Sequence, residues 1–267
     1  MNNKPNQYQC IAVFGGVYSN HYALDALLKD GRQRGAEAFF CLGDLGAFGP
    51  NPNKVFPLLQ KENVQVVQGN YDHSIGNDLN DCQCGYTDPT DNYYAKISYD
   101  YTYANTDERW KAWMKELPEE LRIDLGSFKM LLCHGSPRKT NEFLWESTTS
   151  THFLEKLCRD YHADAILATH TGLHWSRRLS GNRHFINVGS IGRPANDGRQ
   201  HVWYAILTAD DDQIHVEFIP LEYPYKALAE EMRSERLPDT FIETIESGYW
   251  TTCMEVLPGK ERKRGKW

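Results

Sequence analysis

The sequence predicts an α/β fold in which parallel strands are buried on both faces by helices. Short apolar runs alternate with segments of helical periodicity, the signature of βαβ units, and polar groups flanked by glycine recur where the runs end. A chain of 267 residues with 40% hydrophobic content is long enough for one large domain around a single core.

The elements follow in order. Gln9 to Phe14 (QCIAVF) reads as a strand, and His21 to Arg34 as a helix carrying Tyr22, Ala23, Ala26 and Leu27 on one face. Ala38 to Leu42 is a second strand, Lys54 to Lys61 a short helix and Val64 to Val67 a third strand. Residues 91 to 116 read as one or two helices, ended by Leu117-Pro118 because the residue before a proline avoids helical geometry. Leu121 to Leu125 and Lys129 to Cys133, separated by Gly126-Ser127, form a hairpin pattern. Further strands are expected at Ala163 to Ala168, Arg183 to Val188, Val202 to Thr208 and Gln213 to Ile219. Helices are expected near Tyr225 to Arg236 and Asp239 to Ser247. No internal repeat or low-complexity segment stands out.

Charge and composition narrow the function. The net charge is −7, and the basic residues cluster only in Lys260 to Lys266, so a nucleic-acid groove is not indicated and that stretch reads as a solvated terminus. The opening MNNKPNQYQC lacks the charged-then-apolar layout of a secretion signal, and no run of 18 apolar residues occurs, so the expectation is a soluble, cytoplasmic protein without a membrane partner. Of seven cysteines, Cys10, Cys41 and Cys133 sit in or beside strand-like runs and read as reduced core thiols. Cys82 and Cys84 have the spacing of half a metal site, but no second pair accompanies them; loop structure is the first reading and metal binding the alternative.

In α/β sheets ligands bind beyond the carboxyl ends of the strands. Here those ends deliver Gly43-Asp44, Gly69-Asn70-Tyr71-Asp72, His134-Gly135, His170 and the stretch Asn187 to Pro194, with glycines that let the backbone turn tightly and approach a ligand. Asp44, Asn70, His134 and His170 together supply a carboxylate, an amide oxygen and two imidazoles. That mixed set suits a borderline divalent cation such as Zn²⁺, Mn²⁺ or Fe²⁺.

These segments, in this order and spacing, resemble the calcineurin-like metallophosphoesterases over residues 9 to 250. Five motifs recur in that family, D-x-H, G-D, G-N-[HY]-D, H-G and G-H-x-H, and their ligands hold two metals. Four are recognisable here. The stretches GDLGAFGP and NVGSIGRP are also similar to GDLVGYGP and NPGSVGQP of the bacterial small phosphatases. The resemblance implies a four-layer α/β/β/α sandwich of two mixed sheets flanked by helices. It places that domain at residues 8 to 250, with a helical insertion at 74 to 118, C-terminal helices at 221 to 250 and a tail at 251 to 267.

The departures cluster. Where the subgroup reads SDIHSN this chain has Gly15-Gly-Val-Tyr-Ser-Asn20, so Gly16 and Tyr18 stand in place of the Asp and His, and Gly172 replaces the final His. Those three residues, with the shared Asp, build one of the family's two metal sites. Asp44, Asn70, His134 and His170 would build the other, so one divalent ion (Mn, Fe or Zn) per chain is expected. Random loss would strike both sites; this pattern indicates that one was kept.

The implied function is hydrolysis of a small phosphorylated substrate, as a phosphomonoesterase or phosphodiesterase with a reduced, single-metal site; the alternative is a catalytically impaired relative that binds a phosphorylated ligand or partner. Catalytic roles are expected for Asp44, Asn70, Asp72 and Arg193, with Asp72 orienting its neighbours. Arg193, ahead of Arg199, is placed to take over charge neutralisation by a bidentate phosphate contact. Tyr18, Tyr71 and Arg193 are expected to face substrate, Tyr71 standing where many relatives carry a leaving-group-protonating His. Tyr18, His21 and His174 lie near the missing ligands and His73 directly follows the second retained motif; for the histidines the default is packing. Tyr86, Tyr93, Tyr94, Tyr99, Tyr101 and Tyr103 either stack on a substrate or pack a helix. Substrate identity and self-association are left open.

Overall fold

The structure, a computed structural model, describes residues 7–210 and 212–263; the extreme N-terminus and the last four residues of the basic tail lie outside them. The chain runs β1 (Gln7–Tyr8), β2 (Cys10–Phe14), α1 (His21–Gln33), β3 (Ala38–Cys41), α2 (Val55–Lys61), β4 (Gln65–Val66), α3 (Asn70–Gly76), α4 (Pro89–Ala104) and α5 (Glu108–Lys115). It continues with β5 (Glu120–Leu125), β6 (Phe128–Cys133), α6 (Thr151–Asp160), β7 (Ala165–Ala168), β8 (His174–Arg178) and β9 (His184–Val188). It closes with β10 (Val202–Ala209), β11 (Ile214–Leu221), α7 (Tyr225–Ser234), α8 (Asp239–Ser247) and α9 (Gly259–Arg262).

Side chains alternate across a strand, and here both faces are apolar. In β2, Ile11 and Val13 enter one core cluster while Ala12 and Phe14 enter another. The first cluster lies between two sheets: Ile11, Val13, Phe40, Ala205 and Leu207 from one meet Met130, Leu132, Leu167 and Ile186 from the other. The outer faces are covered by helices. Ala12, Phe14 and Phe39 pack against Leu24, Leu27 and Leu28 of α1, and Leu131, Ile166 and Phe185 pack against Leu154 and Leu157 of α6. The result is the expected four-layer sandwich.

One sheet has the order β11-β10-β2-β3-β4, the other β1-β5-β6-β7-β9-β8. Strands β2, β3 and β4 are mutually parallel, as are β6, β7 and β9; antiparallel β10 borders the first trio at β2, while antiparallel β5 and β8 flank the second on both sides. Leu121–Leu125 and Lys129–Cys133 pair as the expected hairpin, each one residue longer at its start. The long helical segment is two helices, α4 and α5. Five elements carry no signal that was read in the sequence: β1, α3, α6, β8 and α9. Among the described residues no helix is long and apolar enough to cross a membrane.

Candidate metal centre

The Gly43-Asp44 turn after β3 and the Gly69-Asn70 turn before α3 pack backbone on backbone. A Cβ on Gly43 would lie 2.4 Å from the Gly69 nitrogen, and one on Gly69 would lie 2.4 Å from the Asp44 nitrogen, so neither position admits a side chain. The Asp72 carboxylate locks the two turns together. It accepts from the backbone amides of Asp44 (2.8 Å), Leu45 (3.0 Å) and Gly69 (2.8 Å). Burial and the nearby Asp44 charge push its pKa up to about 6, against the pull of those amides.

Asp44 and His170 both adopt left-handed backbone, with φ of 57° and 62°. Such strain in residues other than glycine is sustained where the surrounding structure over-determines it, commonly at functional sites. Asp44 Oδ1 accepts from the Tyr71 amide at the start of α3 (3.1 Å), and Oδ2 lies 3.3 Å from His134 Nε2. His134 Nδ1 donates to the Leu42 carbonyl at 2.6 Å, which links the two sheets and fixes the tautomer. His134 Nε2 is also 3.1 Å from His170 Nδ1.

Asp44, His134 and His170 therefore present one ligand atom each within 4.8 Å of one another, all from buried positions, and form a candidate metal triad. Burial favours a neutral His134, but the charge and hydrogen bond of Asp44 more than offset that and raise its pKa. His170 is pushed down to about 3 by burial and by the His134 charge, so it is neutral and able to ligate.

Asn70 lines the same cavity as Asp44 and His170. Its Nδ2 donates to the Cys82 carbonyl at 2.7 Å and lies 3.5 Å from Cys84 Sγ. The carbonyl settles which way the amide faces, and it leaves Oδ1 buried with no protein partner. His170 turns its Nδ1 toward His134 Nε2, so that nitrogen is the one that faces the triad. A buried acceptor left bare is costly, and a cation would satisfy it, so the donor set fits a divalent ion. Cys82 and Cys84 form a disulfide, so neither is a thiolate available to a metal, and the loop they close backs Asn70. Cys10, Cys41 and Cys133 are free thiols, as expected.

The positions that depart from the two-metal pattern are filled. At Gly16 a Cβ would meet the Tyr18 ring at 2.8 Å and its hydroxyl at 3.0 Å. At Gly172 a Cβ would meet the Trp250 indole at 3.1 Å and an Arg193 terminal nitrogen at 3.7 Å. The Arg193 guanidinium stacks 3.5 Å over the Trp250 ring and faces Tyr18 and Phe48 at 5.9 and 6.0 Å. Arg193 is only 8% exposed, and its Nε has no partner. Trp250 is anchored by its indole N–H, which donates to the Pro194 carbonyl at 2.6 Å.

The remaining candidates separate cleanly. Tyr18 and Tyr71 line the cavity, and burial raises both phenols' pKa, so each is a neutral donor at physiological pH; the Tyr71 hydroxyl bonds to Ser98 Oγ at 3.1 Å. His73 is exposed beside Gln68, His21 faces Glu231 at 3.7 Å, and His174 stacks on Trp203 at 4.2 Å; none joins the triad. Arg199 is exposed. Of the six tyrosines in the helical segment, Tyr86 and Tyr94 line the cavity. Tyr99, Tyr101 and Tyr103 bond to Leu79, Glu235 and Asp78, and Tyr93 is 62% exposed. Sequence reasoning missed Trp250, Phe48, Phe241 and Cys253, which also line or cap this cavity.

A triad borne on strand ends of a two-sheet sandwich invites comparison with known proteins. The model of the calcineurin-like phosphoesterase superfamily domain matches residues 11–212. The chain belongs to that superfamily. Members are metal-dependent phosphoester hydrolases that use divalent ions. An uncharacterized protein of Methanocaldococcus jannaschii is 27% identical over 255 residues, covering 88% of this chain and 96% of that protein. A hypothetical protein from Pyrococcus horikoshii shares the fold with a TM-score of 0.75 at 22% identity, over 91% of this chain and 99% of that one. A metallophosphoesterase from Sphaerobacter thermophilus does so with a TM-score of 0.68 at 23% identity, over 90% and 99%. Around Gly16 and Gly172 this calcineurin-like domain packs Tyr18, Arg193 and Trp250.

Proposed function

We propose that this calcineurin-like phosphoesterase hydrolyses small phosphate esters with one divalent ion held by Asp44, Asn70, His134 and His170. The observation that carries the reading is the pairing of the bare, buried Asn70 acceptor, beside the Asp44, His134 and His170 triad, with a buried, under-partnered Arg193 guanidinium across one cavity. When bound, a divalent ion there supplies an activated water and neutralises phosphoryl charge. Arg193 binds phosphoryl oxygens in the place of a second ion, its fork suited to two of them at once. Trp250 holds the guanidinium's orientation, and Tyr18 donates a hydrogen bond from its neutral phenol. Phe48 and Phe241 exclude water, which strengthens each of these contacts. Asp72 takes no part in bonding to substrate; it positions the Asp44 and Asn70 turns.

Elemental analysis of purified protein and of His170→Ala, with hydrolysis of an aryl phosphate ester followed in the same samples, tests the proposal. About one divalent ion per chain is expected, lost together with turnover in the variant. Metal without turnover on a broad ester panel would replace hydrolysis with binding of a phosphorylated ligand. Absence of metal after loading would end the metalloenzyme reading.

A further inference from the structure

The metal cluster is almost wholly covered. Asp44, Asn70, Tyr71 and Arg193 are 4%, 3%, 5% and 8% exposed, so an ion with its water shell, or any larger ligand, reaches them only if part of the wall moves. Most of that wall is fixed. Asp44 and Asn70 sit on the turns that Asp72 locks, the Phe48 amide donates to Ser98 Oγ of α4 at 2.6 Å, and Ala95 and Phe241 belong to α4 and α8. Thr252 and Cys253 differ. They line the same cavity, yet among the described residues neither takes part in a backbone–backbone hydrogen bond.

The chain around these two residues divides into a pinned part and a latched part. Before them, the Trp250 amide donates to Asn196 Oδ1 at 2.9 Å, its indole to the Pro194 carbonyl, and the Thr251 amide to Thr244 Oγ1 at 3.2 Å. Beyond them, residues 254–262 are braced on themselves. Arg262 donates to the carbonyls of Glu255 (3.0 Å) and Leu257 (3.4 Å), and the Leu257 amide donates to the Met254 carbonyl at 3.2 Å. This piece pairs with no strand. It is tied to the body by Leu257, which packs with Trp145 and Trp250, and by two carboxylates. Asp91 Oδ2, at the start of α4, accepts from the Val256 amide at 3.0 Å, and the Glu261 carboxylate accepts from the Ser147 amide and hydroxyl at 2.8 and 2.5 Å. Asp91 and Glu261 are 2% and 5% exposed, and a hydrogen bond to a charge is stronger where water is excluded. Cys253, with φ 57°, holds left-handed backbone at the junction of the two parts, a conformation that persists only while the surroundings impose it.

We propose that residues 252–262 form a lid over the metal centre, latched shut by Asp91 and Glu261, and that its release admits the ion and its ligands. The two latches grip one braced piece, so loosening either raises the open population of the whole. The inference rests on the metal centre proposed above and not on the reaction carried out there.

Cys253 reports opening without metal or turnover. Alkylation of the metal-free protein with excess N-ethylmaleimide, read by peptide mass mapping, gives the labelling rate of each thiol. The core thiols Cys41, Cys133 and Cys158, at 0%, 2% and 1% exposure, report global unfolding in the same samples. Asp91→Ala and Glu261→Ala are each expected to speed Cys253 labelling by ~10-fold or more, the factor that a hydrogen bond to a charged group is worth, and to leave the core thiols unchanged. Asp91→Asn, which keeps an acceptor oxygen, should fall between wild type and Asp91→Ala. Release of bound Zn²⁺ to excess chelator should accelerate in step with Cys253. Faster labelling of Cys253 and the core thiols together would show that the carboxylates stabilise the whole fold, and unchanged Cys253 labelling would show that they latch nothing; either overturns the inference. Faster Cys253 labelling with unchanged zinc release would put the entry route elsewhere and overturn it too. Should Cys253 behave as expected in a protein that takes up no zinc, the lid stands and the metal reading falls.

Discussion

At the scale of single residues, two groups decide whether the cluster can hold an ion. His134 is buried, yet Asp44 keeps its pKa above the ordinary histidine value, so a proton competes with a cation for Nε2. Because the folded-state pKa is raised, that proton is bound at lower pH and leaves as pH rises. Metal affinity is therefore expected to climb about tenfold per pH unit through the histidine range and then level off. Chelator competition across that range measures it, and a flat profile would remove the competing proton. Asn70 is the second decisive group. Its Oδ1 faces the cavity because its Nδ2 donates to the Cys82 backbone carbonyl, in the loop that the Cys82–Cys84 disulfide closes, so Cys82→Ser with Cys84→Ser, which frees that loop, is expected to weaken metal binding ~10–100-fold, the usual cost of losing an orienting partner. Unchanged affinity in that double variant would show that α3 alone orients the amide.

Elements meet at this site through their ends. β3 contributes Asp44 from its exit turn, α3 begins at Asn70, β6 ends before His134 and β7 before His170. No two of these are joined by a short connection, so Asp72 acts as the staple between the β3 exit and the α3 start. Removing it by Asp72→Ala strands three backbone amides and is expected to cost about 3–5 kcal/mol, measurable as a lower urea midpoint. Asp72→Asn, which keeps acceptor oxygen but not charge, should cost roughly half as much. A loss below that of an average surface substitution would mean the turns hold each other through the glycine contacts alone.

Across the whole molecule, two segments far apart in sequence close the vacated half of the site. Arg193 comes from the loop after β9, and Trp250 follows α8; they meet over Gly172. Restoring the family residue by Gly172→His would place a side chain on left-handed backbone, φ 74°, with its Cβ 3.1 Å from the indole. The expected outcome is destabilisation by about 2–4 kcal/mol in thermal or urea unfolding, with no gain in metal per chain. A second ion bound by that variant would mean that Trp250 and Arg193 move aside readily, and that the site is not committed to a single cation.

The strand runs, their alternation with helices, and the glycine-flanked Asp44, Asn70, His134 and His170 were legible in the sequence because each is a local pattern. Burial on both faces makes a strand read as a continuous apolar run, and a tight turn demands glycine where it occurs. The helices α3 and α6 were not legible: α3 is short and opens on polar site residues, while α6 carries a narrow apolar stripe among charges. Strand β8, HWSRR, is polar because it is a sheet edge. The missing ligands at Gly16, Tyr18 and Gly172 could be read from the chain, but not what replaces them. That is decided by the tertiary structure, since Arg193 and Trp250 reach the gap by packing between distant loops, and long-range packing leaves no periodic trace in a single sequence.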